Sequence, residues 1–389
     1  METDALQKTG NTSKRRSSFP FLDLKAQFAE ICDQVKEAVN KVLESQIFIL
    51  GPELDALERE LRDYLQCRFA IGCASGSDAI LLALMALDIG PEDEVITTPF
   101  TFVATAGSIS RLGARPVFVD IDPDTYNIQV EKIEAAITPR TRAIMPVHLF
   151  GLAADMQPIL EIARKHKLAV IEDAAQAISA TYRNVPVGNL GVFGCFSFFP
   201  SKNLGSAGDG GLITTSEADL ADRLKVLRVH GSRAKYNYEV LGMNSRLDAL
   251  QAAILRVKLR HLAKWTKLRQ INAERYTRLC ETWGLGEHIT LPTVPGDQTH
   301  VFNQFVIRSR ERDRLRQHLS NCGIPTEIYY PLPLHLQPAF SFLDYAKGDF
   351  PEAEAASQQV LALPIFPELT EAQQVSVVEG IAEFYGCKN

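Results

Sequence analysis

The sequence predicts an α/β fold: a mostly parallel sheet sandwiched by helices, with a smaller C-terminal α+β domain. Three observations carry it. Between residues 69 and 176, short apolar strands alternate with helix-length segments, the pattern of βαβ units. After residue 211 the alternation gives way to a long helical stretch, and from about residue 290 the chain turns proline-rich with shorter strands. The 389 residues, 46% hydrophobic and 23% charged, suffice for a large core and two domains.

The elements follow in order. Phe28, Ile31, Val35, Ala38, Val39 and Val42 recur at helical spacing over 24–44. "LGPELDALERELRDYL" restarts a helix after Gly51, with Pro52 in its first turn, where a missing N–H costs little. "FAIGCASGSDAILLALMALDIG" reads as strand, tight turn and helix, the helix closed by Gly90. "DEVITTP", "ARPVFVDID", "RAIMPVHLFG" and "LAVIEDAAQ" are strands, separated by helices in "FVATAGSISRLG", "QVEKIEAAI" and "DMQPILEIARKHK". "GCFSFF" is a further strand. Helices are expected over 219–229, 245–280 and 311–322, with strands in "TVPGDQTHVFNQFVIRS". We divide the chain into a disordered polar tail (1–18), a large domain (19–265) and a small domain (266–389). Right-handed crossovers bring the C-terminal strand ends to one edge of the sheet, where ligands bind.

Composition narrows the function. A net charge of −6 argues against nucleic acid as a partner; the one basic cluster, Lys14–Arg16, lies in the tail. No apolar run approaches membrane-spanning length. Seven scattered cysteines without a C-x-x-C pair fit a reduced, cytoplasmic compartment. The eight histidines are dispersed as well, and no metal site is expected.

Three stretches carry chemistry. "ASGSDAI" (74–80) joins a strand to a helix N-terminus through small residues, leaving backbone N–H groups free for a phosphate; it is neither a dinucleotide nor a Walker motif. "VIEDAAQ" (170–176) ends an apolar strand in Glu172 and Asp173, at the ligand edge. "SFFPSKNLGSAGDGG" (197–211) holds Lys202, whose nearest basic neighbours in sequence are Arg183 and Arg223. A lysine isolated among aromatic and small residues is open to desolvation, which lowers its pKa and frees a nucleophilic amine. A phosphate turn, a buried acid and a solitary lysine on three edges of one sheet are what pyridoxal phosphate (PLP) requires. Phe102 in "TPFTFVAT" could stack on its ring.

From about residue 19 to 370 the chain also resembles the DegT/DnrJ/EryC1/StrS sugar aminotransferases, of PLP fold type I. The stretches that carry the resemblance include "FLDLKAQF", "TPFTFVAT", "ARPVFVDIDPDTYNI", "VIEDAAQAISATY", "FSFFPSKNLGSAGDGG", "GMNSRLDALQAAIL" and "YYPLPLHLQPAF", in preserved order. The resemblance implies that Lys202 carries PLP and moves the proton, and that Asp173 holds the pyridinium proton. It implies that Gln176 meets the ring or its 3-hydroxyl, and that Phe102 stacks on the ring face. Gly76, Ser77 and Ser197 bind the phosphate, and Asn244 reaches the cofactor of a second subunit in a homodimer. Tyr329, Tyr330 and His335 are candidates to face the sugar, against a plain packing role. Ser77 stands where many relatives carry threonine, and Ile178–Ser179 where a glycine is frequent.

The implied reaction moves an amino group from L-glutamate to the keto group of a nucleotide-linked sugar. C3 of a dTDP-3-keto-6-deoxyhexose is the first expectation. The alternatives are a UDP-linked 3-keto-2-acetamido-glucuronate, or a PLP-binding relative that does not transaminate. Some relatives replace the lysine with histidine and act as dehydratases; Lys202 is present here.

Overall fold

A computed structural model describes residues 19–387. The expected disordered tail, residues 1–18, lies outside them. The first helix, α1 (Leu24–Ser45), starts where the Asp23 carboxylate accepts the N–H groups of Lys25 and Ala26, two amides that lack partners in a helix's first turn. Helix α2 (Pro52–Leu65) follows, then β1 (Phe69–Cys73), α3 (Gly76–Ala86), β2 (Glu94–Thr97), α4 (Ala104–Arg111), β3 (Arg115–Phe118), β4 (Thr141–Ile144), α5 (Met156–His166) and β5 (Ala169–Asp173). Strands β6 (Phe193–Ser197) and β7 (Gly211–Thr215) complete a seven-stranded sheet of order β1-β7-β6-β5-β4-β2-β3. Pairings from β6 through β5, β4 and β2 to β3 are parallel, while β7 runs antiparallel to both β1 and β6. The sheet is therefore mostly parallel, as expected, and β1, β5 and β6 end on the same edge.

Three local differences have physical causes. "QVEKIEAAI" forms two short 3₁₀ turns, Val130–Lys132 and Glu134–Ala136. Gln129 N–H is tied to Asp120 O and Thr138 N–H to Thr141 Oγ1, so both ends are held from outside the segment, and Ile133 and Ala136 bond three residues back, to Val130 O and Ile133 O. Helix α3 stops at Ala86, ahead of Gly90, because Asp88 already has a left-handed backbone (φ 54°). Strand β7 went unread because a glycine-rich turn precedes it and hides its start.

Beyond the sheet come α6 (Ala218–Leu227) and the 34-residue α7 (Ala249–Thr282). A second, antiparallel sheet has the order β8 (Ile289–Thr290), β9 (Phe305–Ser309), β10 (Val360–Leu363), with α8 (Arg312–Asn321), α9 (Pro351–Gln359) and α10 (Glu371–Tyr385) around it. Helix α7 feeds two cores. Ala252, Leu255, Leu259 and Leu262 pack with the underside of the large sheet, whereas Ala273, Tyr276 and Cys280 pack with β9, β10 and α10. The expected boundary at residue 265 thus falls inside an unbroken helix. Phe19, at the other end of the chain, joins the second core. No helix among the described residues is long and apolar enough to cross a membrane.

Candidate active site

A cavity of about 660 Å³ opens at the C-terminal ends of β1, β5 and β6. Gly76, Ser77, Phe102, Asp173, Gln176, Ser197, Lys202, Tyr329 and Tyr330 all line it. His335 and Asn244 do not.

Asp173 is the last residue of β5 and is nearly buried. Successive strand residues face opposite sides of a sheet, and this separates the two acids of "VIED". Asp173 faces the cavity. There Thr105 Oγ1 donates to its Oδ2 at 2.7 Å and Ala175 N–H donates to its Oδ1 at 3.2 Å. Glu172 points away and is engaged by backbone amides and His148. Burial pushes the Asp173 carboxyl above the usual carboxylate range, against those two hydrogen bonds and the Lys202 charge. Such a group gains from a cation placed in the cavity. Thr105 and its hydroxyl partner Thr101, 3.0 Å away, were missed in the sequence. "TPFTFVAT" contained both, but nothing in its spacing foretold a hydroxyl on β5.

The turn after β1 is built for an anion. Ser75 caps α3 by accepting the Asp78 N–H at 3.1 Å. Among the described residues, no acceptor within the chain takes the amides of Gly76 and Ser77, the first two of α3. These amides and the helix dipole favour a phosphate. A Cβ at Gly76 would stand 2.6 Å from Ser197 Cβ, and one at Gly211 would stand 2.3 Å from Ser75 O, so both positions need glycine for the backbones to approach. The Ala74 N–H donates to Ser245 Oγ at 3.2 Å, which ties the turn to the segment before α7.

Lys202 follows β6 on a compact loop. Its N–H donates to Phe199 O, Ser206 N–H donates to Phe198 O and Phe198 N–H donates to Gly210 O, each within 2.9 Å. The small residues of 203–211 let this loop fold back on itself and shield the lysine. Burial pushes the amine down to about 8, with the Asp173 charge opposing the shift.

Gln176 is oriented from both sides. Phe150 N–H donates to its Oε1 at 2.7 Å, and its Nε2 donates to Tyr330 OH at 3.2 Å. Phe102 is half exposed at the mouth, with its ring centroid 6.4 Å from that of Tyr330. His335 is buried in packing around Phe350, and its Nε2 meets Glu354 Oε1 at 3.1 Å. Asn244 is exposed, and its Oδ1 accepts from Arg246 Nε at 2.9 Å. His318, Cys322 and Glu383 place ligand-type atoms within 4.8 Å of one another, but none lines the cavity.

These residues suit PLP: unfilled helix amides for the phosphate, a raised carboxyl for the ring nitrogen, a lowered amine for the aldehyde. Fold and site together define a PLP-dependent aminotransferase. Residues 30–382 match the model of the DegT/DnrJ/EryC1/StrS aminotransferase family, and the chain belongs to that family. It is 53% identical to a "pleiotropic regulatory protein" of Geobacillus stearothermophilus, over 94% of this chain and 98% of that one. It is 48% identical to the UDP-N-acetyl-3-dehydro-α-D-glucosamine 3-aminotransferase of Acidithiobacillus ferrooxidans (92% and 96% covered). The dTDP-3-amino-3,4,6-trideoxy-α-D-glucose transaminase of Streptomyces venezuelae is 44% identical (94% and 96%). Among solved structures, DesV of S. venezuelae superposes with a TM-score of 0.93 at 43% identity (96% and 100%). NtdA of Bacillus subtilis, with bound PMP, gives 0.90 at 34% (96% and 87%). The protein is a sugar aminotransferase of this family, with PLP as its cofactor.

Proposed function

We propose that this enzyme transfers the amino group of L-glutamate to the C3 keto group of a nucleotide-linked sugar, a dTDP-3-keto-6-deoxyhexose in the first instance. The observation that carries it is the meeting of Lys202, Asp173 and the α3 N-terminus in one cavity. The S. venezuelae relative's name and the stretches "GMNSRLDALQAAIL" and "YYPLPLHLQPAF" support the sugar. A UDP-linked 3-keto-2-acetamido sugar is the second reading, favoured by the name of the A. ferrooxidans relative.

When bound, PLP supplies an electron sink for the carbanion formed as a proton leaves the substrate. The rest is done by this chain. The Gly76 and Ser77 amides, with the Ser77 and Ser197 hydroxyls, hold the phosphate. Asp173, kept in place by Thr105, would hold a proton on the ring nitrogen. Gln176, whose Nε2 donates to Tyr330 OH, would meet the ring or its 3-hydroxyl, and Phe102 would stack on a ring face. The Lys202 amine, lowered to about 8 by burial, would receive the aldehyde and would serve as the base that moves the proton between the two carbons. The half-exposed mouth beside Tyr329 and Tyr330 admits the sugar. None of the seven cysteines is in a disulfide, which suits a reducing cytoplasm. We further propose a homodimer in which Asn244 serves the partner's cavity.

The test is spectroscopic. PLP and L-glutamate are added and the visible band is followed; conversion to the amine form of the cofactor is expected. A stable band with glutamate would favour the non-transaminating alternative. dTDP- and UDP-linked 3-keto sugars, each offered to the amine form, then separate the two substrate readings.

A further inference from the structure

Behind Asp173 lies a buried pair that touches neither the cavity nor solvent. Glu172 and His148 both have 0% exposure. Glu172 Oε1 accepts the N–H groups of Leu190 and Gly191 at 2.8 and 2.7 Å, and Oε2 accepts that of Gly188 at 2.7 Å. The fourth contact is His148 Nε2, 2.9 Å from Oε2. His148 Nδ1 accepts the Ala154 N–H at 3.0 Å, so the ring proton sits on Nε2 and points at Glu172. Four donors saturate the carboxylate.

Three backbone amides would already satisfy much of a buried carboxylate, so the imidazole is more than a filler. It connects β5 to the turn that follows β4. On that turn His148 N–H donates to Asp173 O at 3.0 Å, and Asp173 N–H returns a bond to Pro146 O at 2.9 Å. Two residues on, Phe150 N–H holds Gln176 Oε1, from a backbone at φ 58°. One ring thereby sets the turn that grips both the Asp173 main chain and the Gln176 amide. Since Glu172 and Asp173 leave β5 on opposite faces, fixing the first fixes the launch direction of the second.

We propose that His148, acting through Glu172 and the 148–151 turn, is a positioning residue that aims the Asp173 carboxylate and the Gln176 amide at the cofactor. A core hydrogen bond with no such role would affect stability alone.

Two substitutions separate the cases. His148→Gln puts an amide N–H near the Nε2 position and keeps the donor to Glu172. His148→Asn puts an oxygen near Nδ1, keeps the Ala154 contact and abandons Glu172. The full-length protein is assayed for thermal midpoint, PLP dissociation constant, visible spectrum with PLP bound, and kcat and KM of the glutamate half-reaction. Both variants should lose stability. His148→Gln should keep the spectrum and hold kcat within about threefold. His148→Asn should shift the band, weaken PLP binding and lower kcat about 10- to 100-fold, the range seen when residues that orient metal ligands are lost, while the glutamate KM moves less than about threefold. Glu172→Asp draws the carboxylate back by one methylene and should behave as His148→Asn does, so the comparison survives if the latter fails to fold. Identical spectra and kcat in His148→Gln and in a folded His148→Asn or Glu172→Asp would overturn the proposal.

Discussion

Lys202 is the proposed cofactor-bearing residue, and its amine lies near 8 because of burial. Only the neutral amine attacks an aldehyde. The rate of covalent PLP uptake should therefore rise with pH and level off above about 8, whereas a lysine in water keeps gaining up to about 10.4. Borohydride trapping after brief PLP exposure, followed by peptide mapping, reads this out. Mapping is needed because Lys258, whose Nζ donates to Gly205 O at 2.7 Å, is also lowered to about 8 by burial. A midpoint above about 9.5 at Lys202 would contradict its desolvation. Lys202→Ala should lose turnover and the label at this peptide, yet still take up PLP at the phosphate turn. Asp173→Asn is expected to fold and to lose about two orders of magnitude in rate, since a neutral amide cannot hold the ring proton. A variant within twofold of wild type would remove Asp173 from the mechanism. Glu172 could not then replace it, because its oxygens are already occupied.

At the scale of elements, the proposed phosphate site depends on α3 starting where it does. Gly76→Ala adds a Cβ 2.6 Å from Ser197 Cβ and 3.1 Å from Ser197 Cα, and backbone cannot step aside as a flexible side chain can. Overpacking of this kind costs about 1–3 kcal/mol, which we expect as a loss of PLP affinity of about 5- to 150-fold in a fluorescence titration. Ser77→Ala, which removes only a hydroxyl, should cost less; an equal loss in both variants would mean that backbone approach is not what matters. The elements that present the site were legible because each has a period or a cap. Asp173 ends an apolar run, the Ser75 turn starts a helix, and Lys202 stands alone in its stretch. What stayed hidden depends on contacts across distant sequence. Thr105 lies 68 residues from the carboxylate it orients. The 130–136 turns are held by Asp120 and Thr141. His335 was a candidate to face the sugar from the stretch "YYPLPLHLQPAF", with packing as its alternative, and it lies in the packing around Phe350.

For the molecule as a whole, the position of Asn244 sets the question. It is exposed and outside its own chain's cavity, so the proposed contact with a cofactor would be made in another chain's site. A C2 dimer makes each site depend on both subunits. Mixing Lys202→Ala with Asn244→Ala, at a PLP concentration that leaves the Asn244→Ala homodimer empty, should restore activity in the hybrid: one site there has an intact lysine and an intact partner asparagine. Silence after demonstrated subunit exchange would refute the shared site. The path of the chain carries a further consequence, for how the protein comes into being. Phe19 is seated among side chains from the last third of the chain, and α1 lies against α7. At about 5–20 residues per second, synthesis takes roughly 20–80 s. The apolar face of α1, with Ile31, Val35 and Val42, emerges early and waits for a helix more than halfway down the message. Phe19 waits for α10, which is made later than α7. The segment from Phe19 through α1 thus leaves the ribosome well before the side chains it packs on, and until they are made the chain must keep it from other partners.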